Sequence, residues 1–430
     1  VSGLVDVDPG KKHSVRALEI TNFFLADVQT GLGPFLAAYL AGAGWKPGHI
    51  GFVLTISGVI TVALQIPAGG IVDRTRSKRM ILIAACMVLA AGAVLLSCTT
   101  HPWAVYTSQA LIGGSGPFLA PTLAAITMGL VGVKLFDRQF GRNQAFNSAG
   151  NLFAALLIAG VSYLFGNTAI FIAAAILTVP TVFSVLAIRG GDVDYELARG
   201  GTDENRSGGG ADTAESRPAP VFAALLRDRV LLRFLACAFL FHFSNAAMLP
   251  QLGEMLSGGS KASAAPFMSA CIAVTQLVIM CSAAAVGRLA HVHGRKPLLL
   301  LGFGALPLRA LLYTVIHNTG GLIAVQLLDG VANAIFSVVA ILVIADRTRG
   351  TGRFNLAQGA LATAIGLGAA LSTLFGGLLV QHYGFRISFL ALGGVALAGL
   401  ALLWLGIPET RRNGSGSGTE TAQLSGRVPV

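Results

Sequence analysis

Four side chains able to carry charge or a proton interrupt stretches that are otherwise apolar: Asp27 in FFLADVQTGLGPF, His242 in FLFHFSNAAMLP, and Arg309 and Asp329 further on. An ionisable group in such a setting is expensive to keep, so each is a candidate for function. Asp27 suits a carboxyl that takes up and releases a proton or touches a ligand; a structural hydrogen bond to a neighbouring helix is the other reading. His242 titrates near neutrality without help, although a satisfied buried imidazole is the commoner fate of such a residue. Arg309 and Asp329 each fall ~12–14 Å from the same end of consecutive stretches, at 1.5 Å per helical residue. Adjacent antiparallel helices bring them to one level, and an ion pair is the simplest way to keep both charges. That pair is a fixed brace or a coupling switch. If Asp329 instead faces a cavity, it rivals Asp27 as a proton site.

The elements that position these groups follow from run length. Of 430 residues 54% are hydrophobic and 11% charged, against about 25% charged in a soluble domain. Between Lys46 and Asp73 there are 26 uncharged residues, between Arg79 and Lys134 there are 54, and between Arg142 and Arg189 there are 46. A bilayer span needs about 20 apolar residues, so the longer runs fold back once. The result is an all-α membrane protein of twelve spans, at 17–41, 51–72, 80–98, 104–132, 144–166, 169–188, 231–256, 265–289, 297–317, 320–345, 356–381 and 385–407. A barrel needs alternating segments, which these are not. With the N-terminus inside, the inner segments hold 26 Lys and Arg, and the outer loops only Lys46, Lys261 and Arg386. The positive-inside rule therefore puts both termini in the cytoplasm, and it also explains the net charge of +11 without nucleic acid.

The polar stretch GTDENRSGGGADTAESRPAP has the composition of a flexible linker. It divides the chain into an N-tail (1–16), a first six-helix half (17–188), a linker (189–230), a second half (231–410) and a disordered tail (411–430). The N-tail lacks the apolar core of a cleaved signal. Cys86, Cys98, Cys237, Cys271 and Cys281 follow no paired or metal-ligand spacing and read as small buried hydrophobes.

The halves repeat each other. Gly69, Asp73, Arg74, Lys78 and Arg79 in GGIVDRTRSKR are echoed by Gly287, Gly294, Arg295 and Lys296 in GRLAHVHGRK, with Gly69 to Gly287 and Lys78 to Lys296 both 218 positions apart. QALIG at Gln109 is answered by QLLDG at Gln326, and Pro34 by Pro250, 216 positions on. Matches in register across a linker indicate a duplicated six-helix unit.

On these motifs the sequence resembles the major facilitator superfamily of secondary transporters over about residues 15–410. GGIVDRTRSKR is similar to the family's Gly-x-x-x-Asp-Arg/Lys-x-Gly-x-Arg/Lys-Arg/Lys loop. It departs in having Arg76 where the pattern has Gly, and His291 replaces the acid in the second copy. Gln109 stands where many members have Arg, and the Gly-Pro-x-x-Gly-Gly signature of drug antiporters is missing from 147–166. The resemblance implies two halves rocking about a central cavity lined by helices 1, 4, 7 and 10. It gives the loop at 69–79 a gating role, with Asp73 meeting a helix N-terminus across the interface and Arg74, Lys78 and Arg79 meeting anionic headgroups.

Gln29, Gln109, Asn245, Gln276, Gln326 and Asn333 offer hydrogen bonds without fixed charge; they shape a substrate cavity or join helices. GGSGPFLAP at 113–121 is dense enough in Gly and Pro to kink its span. There is no P-loop, HExxH, CxxC or catalytic triad, so neither an enzyme, a metal site nor a cofactor is expected. The reading is a proton-coupled transporter of a small organic molecule in a bacterial inner membrane, acting as a monomer. Proton candidates are Asp27, His242 and Asp329. Its partners are substrate, protons and lipids. Efflux of an amphiphile is slightly favoured. Metabolite or siderophore uptake runs close behind, and a transporter-like receptor or lipid scramblase is the other class.

Overall fold

The computed structural model describes residues 8–30, 32–199, 228–257, 264–348 and 354–409. The helices are α1 (Lys12–Thr30), α2 (Leu32–Gly42), α3 (Pro47–Arg74), α4 (Lys78–Cys98), α5 (Pro102–Phe165) and α6 (Ala169–Ala187), then α7 (Arg229–Asn245), α8 (Met248–Ser257), α9 (Ala264–His293), α10 (Arg295–Val315), α11 (Thr319–Thr348) and α12 (Phe354–Gly406). α5 folds back at Gly132 (φ 72°) and α12 at Gly384 (φ 79°), left-handed conformations that glycine adopts without a Cβ clash. Ten segments are long and apolar enough to cross a membrane. The last of them, Ala357–Gly406, makes two passes, and α1 with α2 makes another, giving the twelve-helix membrane fold expected from run length.

A proline sets one of the breaks. Pro250 has no N–H to donate, and its ring crowds the carbonyl four residues back. That residue is Ala246, and α7 ends at Asn245 with α8 starting at Met248. Helical dihedrals continue through Pro117 and Pro121, and the non-helical residue of α5 is Gly132, at the turn between its two arms.

Buried apolar side chains form three clusters. One draws only on residues 15–193 and includes Leu18, Leu36, Cys86 and Phe171. A second draws only on 231–407, including Phe234, Phe241, Phe303 and Val339. The third, with Phe35, Ile158, Met248, Leu252 and Met268, joins the two halves. Asp8 and Glu409 mark one end of the bundle, here called the near end. The cluster that joins the halves lies toward the other, far end, where α2 packs on α8. There α3 also meets the first arm of α12. Gly48 N–H donates to Gln381 Oε1 (3.0 Å), and Thr55 Oγ1 donates to Ala370 O (2.9 Å). These contacts close the far end.

Residues expected to begin a loose linker instead pack under the first half. Val193 and Ala198 are buried, and Asp194 N–H donates to Gly129 O (2.9 Å). Ser14 Oγ donates to Asp192 Oδ2 at 2.5 Å. Residues 200–227 of the linker and the C-tail fall outside the described residues. Of the cysteines, Cys86, Cys237 and Cys271 are buried, but Cys98 and Cys281 are exposed on the protein surface, a correction to the expectation that all five are buried.

Candidate functional site

A cavity of about 590 Å³ lies between the halves, running from mid-depth toward the near end. Its first-half wall is the second arm of α5. Gln144, Asn147, Ser148 and Asn151 all line the cavity, and their spacing of i, i+3, i+4 and i+7 puts them on one helical face. The second half contributes His242 from α7, Thr275 and Gln276 from α9, Asn333 and Ser337 from α11, and Gln358 from α12. Apolar residues such as Ile279, Phe336 and Ile365 fill the remainder. The described lining thus comes from the fifth, seventh, eighth, tenth and eleventh passes; of the four helices that the resemblance named, the seventh and tenth are among them, the fourth is not, and the side chains of residues 27–34 on the first fall outside the described residues.

Behind the second-half wall lies a buried ionic network. Arg309 is 1% exposed, and its Nη1 lies 2.8 Å from Asp329 Oδ1. Nη1 also donates to Asn245 Oδ1, Nη2 to Gln326 Oε1 (3.1 Å) and Nε to Tyr313 Oη (2.9 Å). The guanidinium also sits 5.3 Å from the Tyr313 ring centroid. Asp329 accepts further hydrogen bonds from Thr275 Oγ1 (3.2 Å) and Asn333 Nδ2 (2.9 Å). Both carboxylate oxygens and all three guanidinium nitrogens are engaged, the condition under which a buried pair is tolerated. Asp329 therefore faces this network, and Thr275 and Asn333 stand between it and the cavity.

The sequence-predicted groups separate into sets. His242, Gln276 and Asn333 line the cavity. Arg309, Asp329, Asn245 and Gln326 form the network behind it. Gln109 is buried in the first half and is not part of the lining. Asp27 and Gln29 lie on α1, but their side chains fall outside the described residues. Among the described residues His242 departs from the satisfied imidazole that is usual: Nε2 is buried with no hydrogen-bond partner there, and the ring meets Phe336 edge-on at 5.0 Å.

The loop motif acts within each half. Lys78 is fully buried and donates to Val72 O (2.7 Å), the carbonyl end of the preceding helix. Arg295 does the same in the second half, donating through Nη1 to Ala290 O (2.7 Å). Arg79 Nη1 donates to Ile188 O beyond α6, and Lys296 Nζ to Trp404 O near the end of α12 (2.7 Å). Cations at helix C-termini complement the helix dipole. Lys78 is thus not placed to meet a headgroup, contrary to the sequence expectation, whereas Arg74 is exposed. The side chains of Asp73 and His291 lie outside the described residues. Glu409 accepts from the N–H groups of Arg295 and Lys296 (2.9 and 3.0 Å), so the last pass caps α10. Gly69 and Gly287 have open space where a Cβ would stand, so neither permits a close helix approach here. Gly294 takes φ 95° at the α10 cap, while Arg76 keeps a negative φ, so the two turns differ as the missing glycine implied.

Sequence reasoning missed several polar groups. In the first half Glu19 accepts from Arg142 Nε (2.9 Å) and Gln139 Nε2 (3.0 Å), and Asn143 donates to Thr127 Oγ1 (3.0 Å). Glu254 on α8 is buried in the far-end contact with Oε2 unpartnered. The α5 stripe carried a usable signal in its helical spacing. Glu19 and Arg142 carried little, because they sit at the edges of charge-free runs. Outside the spans, Asp228 caps α7, accepting from Val230 and Leu231 N–H (3.0 and 3.1 Å), and pairs with Arg347 Nη2 (2.7 Å). Partial burial opposes its ionisation, but the Arg347 hydrogen bond and charge and the two N–H groups outweigh that, holding the carboxyl below its ordinary value of 3.8.

Comparison with known proteins agrees with this architecture. The sequence profile of the Major Facilitator Superfamily matches residues 18–306 and 272–429. An uncharacterized MFS-type transporter of Mycobacterium tuberculosis is 41% identical over 399 residues, 92% of this chain and 93% of that protein. Multidrug resistance protein MdtG of Dickeya zeae is 24% identical over 182 residues, 41% of this chain and 44% of that protein. Among solved structures, nucleoside transporter NupG superposes with a TM-score of 0.71 at 14% identity, over 92% of this chain and 99% of that one. A POT family transporter in complex with 5-aminolevulinic acid gives 0.75 at 12% identity, over 93% and 96%. These two likenesses concern the fold. The chain is a multi-pass membrane protein, and it belongs to the major facilitator superfamily.

Proposed function

We propose that this protein is a secondary active transporter that moves a small organic molecule across the bacterial inner membrane by alternating access. The observation that carries the reading is the polar cavity between two halves that, among the described residues, close against each other at the far end. With the near end in the cytoplasm, as the Lys and Arg distribution indicates, the arrangement is the inward-facing member of a cycle in which the halves rock about the cavity. Similarity to MdtG over part of the chain supports export as the direction. Proton coupling rests on Asp27 and His242. His242 lines the cavity with an unpartnered ring nitrogen, whereas Asp329 is committed to Arg309. The protein acts as a monomer in contact with membrane lipids.

The test is proton movement in sealed proteoliposomes containing a lumenal pH dye, challenged with a compound panel, for the wild type and Asp27→Asn. Compound-driven proton flux that Asp27→Asn abolishes without abolishing binding is the expected result, and its sign separates antiport from symport. Binding with no proton movement in either protein refutes coupling and favours a receptor or facilitated diffusion. Labelling of the 189–230 linker from outside intact cells refutes the orientation.

A further inference from the structure

Six carboxamides converge on the cavity: Gln144, Asn147 and Asn151 from α5, Gln276 from α9, Asn333 from α11 and Gln358 from α12. Each presents both a donor and an acceptor. They are only lightly spent on one another. Asn151 Nδ2 donates to Asn147 Oδ1 at 3.3 Å, and Asn333 commits its nitrogen to Asp329. Ser148, Thr275 and Ser337 add hydroxyls. Of the nearby charges, Arg309 and Asp329 neutralise each other behind the wall, so the second half offers the ligand polarity without net charge.

We infer that the transported molecule is uncharged and carries several hydroxyl or amide groups, and that the α5 stripe and the facing carboxamides of α9 and α11 read it by hydrogen bonds. This narrows the transporter reading above and rests on it. It also moves away from the amphiphile that the sequence suggested. A lipophilic ligand of this size would leave carboxamides unpaired in a closed cavity, each at a penalty. A site built to hydrogen-bond hydroxyl and amide groups rejects analogues lacking them far more strongly than an apolar pocket rejects an added methylene. The volume suits one small molecule with a few waters, within the ~300–1,000 Å³ usual for such sites. Asp27 bears on the alternative, because a carboxylate reaching the cavity favours a cation.

The experiment is exchange across proteoliposomes holding the full chain, read by mass spectrometry, with a panel in three arms. The neutral arm is uridine, trehalose, N-acetylglucosamine and glycinamide derivatives acylated at nitrogen; the cationic arm is tetraphenylphosphonium and ethidium; the anionic arm is benzoate and salicylate. The expected result is exchange confined to the neutral arm, with Asn147→Leu and Gln276→Leu each weakening half-saturation on the order of 10-fold per lost polar contact. Thermal unfolding of each variant without ligand checks that it is folded. Exchange confined to the cationic or anionic arm, or neutral exchange unchanged in both folded variants, overturns the inferred class while leaving transport standing. No exchange in any arm, with no compound shifting the unfolding temperature of the wild type, overturns the transport reading itself.

Discussion

Neutralising Asp329 tests the second-half network most directly. In Asp329→Asn the guanidinium of Arg309, 1% exposed, loses the one counter-charge paired with it. Asn245, Gln326 and Tyr313 continue to accept its hydrogen bonds, but they are neutral. Removing one partner of a buried pair costs about 3–5 kcal/mol. Spread over a half of roughly 180 residues, where 1 kcal/mol shifts melting by about 2–4 °C, that lowers the transition by roughly 6–20 °C. The double variant Arg309→Met with Asp329→Leu removes both charges and keeps the bond of Gln326 Nε2 to Tyr313 Oη (2.6 Å). Asn245, Thr275, Asn333 and the Oε1 of Gln326 lose partners, at about 1–3 kcal/mol together, since the first three can turn toward one another or the cavity. The double variant should therefore melt above either Asp329→Asn or Arg309→Met alone. The assay is scanning fluorescence of the detergent-purified proteins at one fixed scan rate, because such transitions are usually irreversible. Asp329→Asn melting within about 2 °C of wild type, or a double variant no better than the singles, refutes the argument that pairing keeps Arg309 tolerable. Retained exchange in a stable double variant identifies the pair as a brace; loss of proton coupling alone identifies it as a switch.

Two glycines near each other separate packing within a half from packing between halves. A Cβ on Gly58 of α3 would lie 2.6 Å from Ala370 Cβ across the interface, whereas one on Gly113 would lie 2.8 Å from Ser57 Cα in the same half. Overpacking costs about 1–3 kcal/mol. Gly58→Ala should thus shift the ratio of far-end-closed to far-end-open molecules at least about fivefold toward open, read by spin-label distances across the far end, while Gly113→Ala lowers the melting temperature and leaves those distances unchanged. Asp228, held below its ordinary value, contributes stability above about pH 4 that is lost as pH falls through its folded value. Asp228→Ala should lose about 1 kcal/mol at pH 7 from the missing cap and flatten that acid limb of the melting profile. An unchanged acid limb would show that Arg347 does not stabilise the ionised carboxyl.

How much of this could be read from the residues depends on what the membrane makes visible. Span number and the repeat were legible because charge is scarce in a bilayer and the landmarks of the two halves recur at one offset. Gly166 and Gly384, both left-handed and 218 positions apart, repeat the offset already present between Gly69 and Gly287. The placement of Arg309 opposite Asp329 was legible from depth alone. Facing was not. Toward lipid a helix is as apolar as it is toward its neighbours, so hydrophobic periodicity does not show which face of a span looks into the cavity. Facing and depth together decide whether a polar residue touches a ligand or only another helix: Gln276 and Asn333 line the cavity, while Asn245 bonds Arg309, and so does Gln326, which shares a face of α11 with Asn333 but lies two turns away. The α5 stripe escaped notice for a related reason, since uncharged carboxamides leave a charge-free run unbroken. Yet apolar side chains alone satisfy a helix facing lipid, and two faces of the second arm of α5 could have been all apolar. Four polar residues at i, i+3, i+4 and i+7 within a span therefore mark a surface that meets something other than lipid, and in this fold the surface they meet is the cavity.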